Sequence, residues 1–292
     1  MENKNIIKNN KELNIYYSNF LARMNTKFTL EEEKALHLIF KQINAFGKND
    51  TTIKLNKLDF FNKLELESTN RYPRYRKLIR GLIHKTYVEF VDNYGAEYVG
   101  VVINSSVWKP REPFFVVELT KMFMPYLELL IRDYTKVDLN SVCAFKSKHS
   151  LTLYKFICSW TDDSKQTNQR YITTKDLKEL FGLNISDYVY NDKFKRYDFE
   201  RETIKKAINE INKVSNISLS FKKNKKGNKV LNYEFTWIQK EKTIITKNRK
   251  RQLTIFDLDK ENTIGKPTKS ILSKPNLSTN EIKKILQDFD EH

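Results

Sequence analysis

The stretch Tyr197–Lys229, YDFERETIKKAINEINKVSNISLSFKKNKKGNK, decides how the chain reads. Its first half spaces Ile204, Ala207, Ile208, Ile211 and Val214 as one apolar stripe of a helix, with charge on the opposite face. Its second half holds a β-rich run, Ile217–Phe221, a lysine-loaded turn with Gly227, and a second β-rich run, Val230–Trp237. A basic helix followed at once by a basic hairpin is the sequence form of a winged helix-turn-helix. Such a helix can enter a DNA major groove while the hairpin touches the flanking backbone.

Upstream, the same order of elements occurs once before. Arg71–Lys85, RYPRYRKLIRGLIHK, carries six Lys/Arg and no acid. Tyr75, Leu78, Ile79, Leu82 and Ile83 form its apolar stripe, and Lys77, Arg80 and His84 face the other way. Pro73 suits its first helical position. Before it, Thr29-Leu30-Glu31-Glu32 spells a capping box, and Ala35, Leu36, Ile39, Phe40 and Ile43 continue a helix that Gly47 ends. Tyr16–Phe20 fits a small helix or an edge strand, Asp50–Leu55 a strand, and Asn56–Leu64 a short helix. After it come β-rich segments at Tyr87–Asp92, Glu97–Asn104 and Phe114–Leu119, then a helix over Lys121–Arg132. Asp133–Ser147 reads as a connector, Ser147–Trp160 as a helix with Leu153, Phe156, Ile157 and Trp160 inward, and Thr174–Phe181 as a short helix stopped by Gly182.

The expectation is an α+β chain of two tandem winged-helix domains followed by a flexible C-terminal arm with a short helix. The boundaries read 1–13 for a disordered N-terminus, 14–135 and 136–240 for the two domains, and 241–292 for the arm. The second domain is expected to be the main reader of sequence.

Composition narrows the partner. The 292 residues hold 53 Lys/Arg against 36 Asp/Glu, a net charge of +17, which points to a polyanion such as nucleic acid. Seven glycines and no GxxxxGK[ST] or GxGxxG argue against a nucleotide site, so no cofactor is expected. Cys143 and Cys158 make no metal pattern and read as free thiols in a reducing compartment. No signal-peptide core and no 18-residue apolar run occur, so a cytoplasmic protein with no membrane contact is expected.

Charge runs are most often solvated faces, but here helix and hairpin are basic together. Residues 193–229 carry twelve Lys/Arg against four acids. The candidate DNA-binding residues are therefore Lys195, Arg196, Arg201, Lys205, Lys222, Lys223, Lys225, Lys226 and Lys229, with Arg74, Lys77 and Arg80 as their counterparts in the first domain. Arg201, near the helix start, is placed to reach guanine O6 and N7 with two hydrogen bonds. The hairpin lysines, flexible point charges, suit phosphates. No catalytic or metal-binding residue is assigned. His37, His84, His149 and His292 form no H-x-H or H-E-x-x-H pair, which disfavours a metal-dependent strand-nicking enzyme.

Tyr197–Asn212 resembles the second winged helix of iteron-binding, theta-type plasmid replication initiators. The shared pattern is an aromatic before the helix, an Arg two residues on, and an A-I-x-E-I-N run, here Phe199, Arg201 and Ala207–Asn212. Ser150–Phe156, with Leu153-Tyr154, resembles the opening helix of that domain. Asp133–Leu139 resembles the interdomain connector, and Phe28–Gln42 a helix of the first domain. One departure stands out: family members often flank the Arg201 position with basic residues, and this chain has Glu200 and Glu202. The resemblance implies a plasmid replication initiator, not an enzyme. Such proteins bind double-stranded origin repeats as monomers in equilibrium with a homodimer, open an AT-rich segment, and recruit the host initiator ATPase and replicative helicase. A winged-helix transcriptional regulator is the alternative.

In the tail, Gln252-Leu253-Thr254-Ile255-Phe256 resembles the peptide that binds the bacterial sliding clamp. Leu253, Ile255 and Phe256 would fill an apolar groove and Gln252 would bond at its rim. Ser278–Phe289 has a capping box and an apolar stripe, as expected of a terminal amphipathic helix.

Overall fold

A computed structural model of the chain describes residues 14–240 apart from 24–27, 46, 66–70, 92–96, 131–133 and 228. The expectations for 1–13 and for the arm 241–292, including Gln252, Leu253, Ile255, Phe256 and the terminal helix, lie outside the described residues.

In chain order, strand β1 (Asn14–Ser18) leads into α1 (Asn19–Arg23), and then α2 (Leu30–Phe40), β2 (Thr52–Asn56), α3 (Lys57–Lys63) and α4 (Arg71–Lys85) follow. Four strands come next: β3 (Tyr87–Val91), β4 (Glu97–Val101), β5 (Ile103–Trp108) and β6 (Phe114–Leu119). A connector of β7 (Tyr134–Asp138) and α5 (Leu139–Ala144) leads to α6 (Lys148–Cys158), β8 (Asn168–Ile172) and α7 (Thr174–Leu180). A small hairpin, β9 (Val189–Tyr190) and β10 (Lys193–Phe194), precedes a continuous helical run. That run is α8 (Arg196–Phe199), a π-helical turn (Glu200–Lys205) and α9 (Lys206–Val214). Strands β11 (Ile217–Lys226) and β12 (Lys229–Gln239) close the described chain.

The repeat expected from sequence is present. The first domain has an antiparallel sheet in the order β2-β6-β5, and the second has one in the order β11-β12-β8. Each is built from a strand before a short helix, then a basic helix, then a hairpin that pairs back on that strand. The copies differ in an inserted hairpin, β3–β4 after the basic helix in the first and β9–β10 before it in the second.

Several boundaries differ from the sequence reading for physical reasons. Helix α2 ends at Phe40 with Lys41 as its cap, well short of Gly47. Pro73 is the third residue of α4, a place tolerated because the first four N–H groups of a helix have no intrahelical acceptor. Glu97–Asn104 is two strands, broken at Val102, whose amide bonds Thr86 O and whose carbonyl accepts from Thr120. Of the helix expected over Lys121–Arg132, the described residues form only a 3-10 turn over Lys121–Tyr126, with Pro125 inside it. The connector is ordered: β7 pairs antiparallel with β1, and Asp138 caps α5 by accepting from the Ser141 amide at 2.8 Å. In α6 the inward residues include Leu151 and Tyr154, while Phe156 and Trp160 are only partly buried. The lysines Lys222–Lys226 lie on β11 itself, leaving Gly227, at φ +59°, at the turn.

Helix α2 is the axle. From Glu32 to Phe40 every residue is buried, four ionisable side chains included. Each of the four has its own partner. Glu32 completes the capping box with Thr29 and accepts from Lys85 of α4 at 2.7 Å. Glu33 pairs with Lys155 of α6. Lys34 donates to the Cys143 carbonyl at 2.6 Å. His37 Nδ1 lies 2.7 Å from the Glu33 carbonyl, and Nε2 lies 3.0 Å from the Tyr17 hydroxyl. Gly81 makes the contact of α4 with α2 possible: a β-carbon there would sit 2.0 Å from a Glu32 carboxylate oxygen.

Burial, with Lys155 adding to it, pushes His37 down to about 4, so the ring stays neutral in the folded chain. Burial alone would raise the Glu33 carboxyl, but Lys155 and His37 bring it below its ordinary value. Both shifts act in the same direction. From pH 6.5 down to about 4 the unfolded chain takes up a proton at residue 37 that the folded chain refuses, so stability falls as pH falls, by up to about 3 kcal/mol from His37. His149, against Phe181, is also lowered by burial and adds to the slope. Urea unfolding from pH 4.5 to 7.5 should show this loss, and His37→Gln should flatten most of it. An unchanged slope in the variant would rule out His37 as the source.

Candidate nucleic-acid interface

The first basic helix presents its cations freely. On α4, Tyr75, Leu78, Ile79 and Leu82 are buried, and Arg74, Lys77 and Arg80 are exposed on the outward side with no ion-pair partner among the described residues. The hairpin β5–β6 brings Lys109 and Arg111 to its tip, two exposed cations that sequence reading missed because Pro110, Glu112 and Pro113 dilute the run. The base of this tip is pinned by Lys57, whose buried ammonium donates to the Lys109 and Glu112 carbonyls, both at 2.5 Å.

In the second domain many of the expected cations are already engaged. Glu200, only 3% exposed, sits where the helix faces the hairpin. It accepts from Lys223 at 2.9 Å and from the Tyr233 hydroxyl at 3.0 Å. Arg196 donates to that hydroxyl and to Thr174, both at 3.2 Å, and is half-buried. Burial and the adjoining Glu200 push the Tyr233 hydroxyl up to about 12, so it stays a donor. Lys222 pairs across the strands with Glu234 at 3.0 Å. Arg201 is exposed but bonded to Glu202 at 2.7 Å and Asp198 at 3.2 Å, with its guanidinium over the Tyr197 ring at 5.3 Å. Lys205 lies over the same ring at 5.7 Å. Lys195, Lys225, Lys226 and Lys229 are exposed and form no ion pair among the described residues.

The structure thus brings the twelve candidates together on two helix–hairpin units but sorts them. Arg74, Lys77, Arg80, Lys195, Lys225, Lys226 and Lys229 are available cations. Arg201, Lys205 and Lys222 are exposed with intramolecular partners, and Arg196 and Lys223 hold the hairpin to the helix.

Asp162 accepts from the Ser164 amide and hydroxyl at 3.0 and 2.6 Å, as a turn residue does. Cys158 is buried, which pushes its thiol up to about 12. Among the described residues no group of three or more His, Cys, Asp or Glu could hold a metal ion, and no helix is long and apolar enough to cross a membrane.

Comparison with known proteins also divides the chain in two, with the first match running past the expected boundary at 135. Residues 14–158 match the family model described as "Initiator Replication protein, WH1", and residues 173–237 match "Initiator Rep protein, WH2". The chain belongs to the initiator replication protein family. Among solved structures, the Pi initiator protein in complex with iteron DNA is similar over 79% of this chain and 99% of that one, with a TM-score of 0.67 and 20% identity. A structure of domains 2 and 3 of RctB aligns over 73% of this chain and 83% of that one, with a TM-score of 0.44 and 10% identity. No curated protein matches.

In this initiator the A-I-N-E-I-N run is chiefly a folding signal. Ala207, Ile208 and Ile211 are buried. Glu210 accepts from the Lys146 amide at 2.5 Å, tying the helix to the connector. Asn212 forms a two-way clamp on the hairpin, accepting from the Leu219 amide at 2.7 Å and donating to its carbonyl at 2.8 Å. Asn209 is exposed and has no side-chain hydrogen bond among the described residues. Asn212→Ala should therefore cost about 1–3 kcal/mol, since it strips both partners from a buried strand residue. Asn209→Ala should change stability by less than about 0.5 kcal/mol. Thermal unfolding of the two variants checks the division, and equal midpoints would refute it.

Proposed function

We propose that this initiator starts plasmid replication by binding repeated duplex DNA at an origin through both winged helices. The observation that carries the reading is the pair of helix–hairpin units with unpaired cations on one chain, within a family of replication initiators. Arg74, Lys77 and Arg80 meet DNA without first giving up an internal partner. Arg201 must exchange Glu202 and Asp198 for a base edge, so it contributes choice of sequence more than affinity. Lys225, Lys226 and Lys229 at the second hairpin tip meet phosphates. The similar Pi protein, solved with iteron DNA, supports duplex repeats as the target.

The proposal extends to the later steps. The DNA-bound chain opens an AT-rich segment and recruits the host initiator ATPase and replicative helicase. A homodimer in exchange with the monomer sets the amount of free initiator, and the 252–256 peptide engages the sliding clamp. A regulator with no replication role would bind the same DNA and fail at these steps. The deciding experiment supplies the gene and its flanking repeats to a plasmid with no other origin. Maintained plasmid supports initiation, whereas intact DNA binding without maintenance favours the regulator.

Binding assays separate the roles of individual residues. Replacing Lys225, Lys226 and Lys229 together with Ala should weaken repeat and unrelated duplexes alike and reduce the slope of log affinity against log salt by roughly 3. Arg201→Ala should weaken the repeat by about 1–3 kcal/mol with much less effect on unrelated duplex. Equal loss on both duplexes for Arg201→Ala would remove it from sequence reading.

A further inference from the structure

Beside the outward row of α4 lies a cleft of about 310 Å³ between that helix and strand β5. Tyr72, Tyr75 and Trp108 form its aromatic wall, Arg76 and Arg80 stand on its rim, and no acid among the described residues lines it. Two of the three rings are held from behind. The Tyr75 hydroxyl is 2.7 Å from Ser106 Oγ, which itself donates to the Val116 carbonyl at 2.6 Å. Trp108 has the Lys57 ammonium over its ring at 4.0 Å and the Phe61 ring at 6.2 Å. Tyr72 is different. It lies stacked with Tyr75 at 6.3 Å and tilted against Trp108 at 5.7 Å, yet it is 50% exposed. Its ring face is thus open beside two fixed rings, whereas that of Tyr75, 5% exposed, is covered.

We infer that this cleft takes an unstacked base of single-stranded DNA. An aromatic face backed by fixed rings offers a π-surface that every base can stack on, and flanking guanidinium groups neutralise the adjoining phosphates and can stack themselves. A paired base keeps its faces covered by its neighbours, so duplex DNA cannot use the site, whereas an opened strand can. The charge of the cleft selects an anionic partner, and its volume is at the low end for a ligand pocket, consistent with a single ring system. In the second domain Tyr197 is also exposed, but no ring backs it among the described residues, and its neighbours are Arg201 and Lys205 at 5.3 and 5.7 Å. This inference deepens the proposed origin function by giving the separated strand a place on the first domain, and it rests on that reading only for its biological setting.

The test uses the full chain with Tyr72→Ala and Tyr72→Phe, titrated by fluorescence anisotropy against a labelled single-stranded oligothymidylate and, separately, against duplex origin repeats. Tyr72→Ala should weaken single-strand binding about 5- to 100-fold, with duplex affinity held within about twofold, and Tyr72→Phe should bind the single strand as the wild type does. An unchanged single-strand affinity in Tyr72→Ala, or an equal loss on both probes, overturns the inference. So does a Tyr72→Phe variant as weak as Tyr72→Ala. A wild-type chain that binds the duplex and not the single strand sinks this inference alone. One that binds the single strand and not the duplex refutes the duplex reading above and leaves the cleft standing.

Discussion

The buried pair between Glu33 of α2 and Lys155 of α6 ties together two helices that lie 122 residues apart in the chain. Both side chains are almost fully removed from water. Ion pairs of this kind add little net stability relative to an apolar substitute, because desolvation offsets most of the attraction. What they do supply is exclusivity. Separating the two helices, or sliding one past the other, would leave a bare charge in an apolar setting at a cost of about 3–5 kcal/mol. Neutral His37 beside the pair, and the Tyr17 hydroxyl that bonds it, extend the same network to β1. Because β1 pairs with the connector strand β7, the network reaches the segment that joins the domains.

A second buried carboxylate plays the equivalent part inside the second domain. Glu200 occupies a core position of the helical run, where an apolar residue would satisfy the helix but not the hairpin. Its bonds to Lys223 and Tyr233, and that of Tyr233 to Arg196, join the helix to two strands of the sheet. The run has a π-helical turn at this point, and the Thr203 hydroxyl back-bonds to the Phe199 carbonyl at 2.6 Å inside it. The angle between hairpin and helix is thus set by directional polar bonds as well as by packing. This matters for a surface that must meet a groove and its flanking backbone together. The departure at Glu200 from the family's basic residue is therefore an internal support, and the departure at Glu202 is a local partner for Arg201.

Much of this was legible in the sequence. Apolar spacing located α4 and α9, the Thr29–Glu32 box located the start of α2, and the repeated order of elements gave two winged helices. The misread parts share a cause, which is that local pattern does not report what a side chain meets across the fold. Lys222–Lys226 look like a turn because they are polar, yet strand pairing with β12 extends through them. Strand alternation places Lys223 on the same face as Leu219 and Phe221, and this period-2 signal could have identified it as inward-facing. Arg196 carries no such signal, because its partners are 22 and 37 residues away. The connector looked irregular because its strand is completed only by β1, more than a hundred residues earlier.

Net charge, for the same reason, is a poor map of a binding surface. The chain's +17 includes cations that are spent internally: Lys57 and Lys178 on carbonyls, Lys155 and Lys223 on buried carboxylates, Arg196 on a hydroxyl network. Among the described residues the unpaired cations include Arg74, Lys77 and Arg80 on α4 and Lys225, Lys226 and Lys229 at the second hairpin tip, one set on each helix–hairpin unit. Two such sets can act on one rigid duplex only if the distance and rotation between them are held. A flexible tether would make the second contact depend on the effective concentration the tether allows, whereas a fixed arrangement lets both sets engage together. The buried pair at Glu33 and Lys155 contributes nothing to the surface, yet it holds α2 against α6 inside the fold that carries both sets.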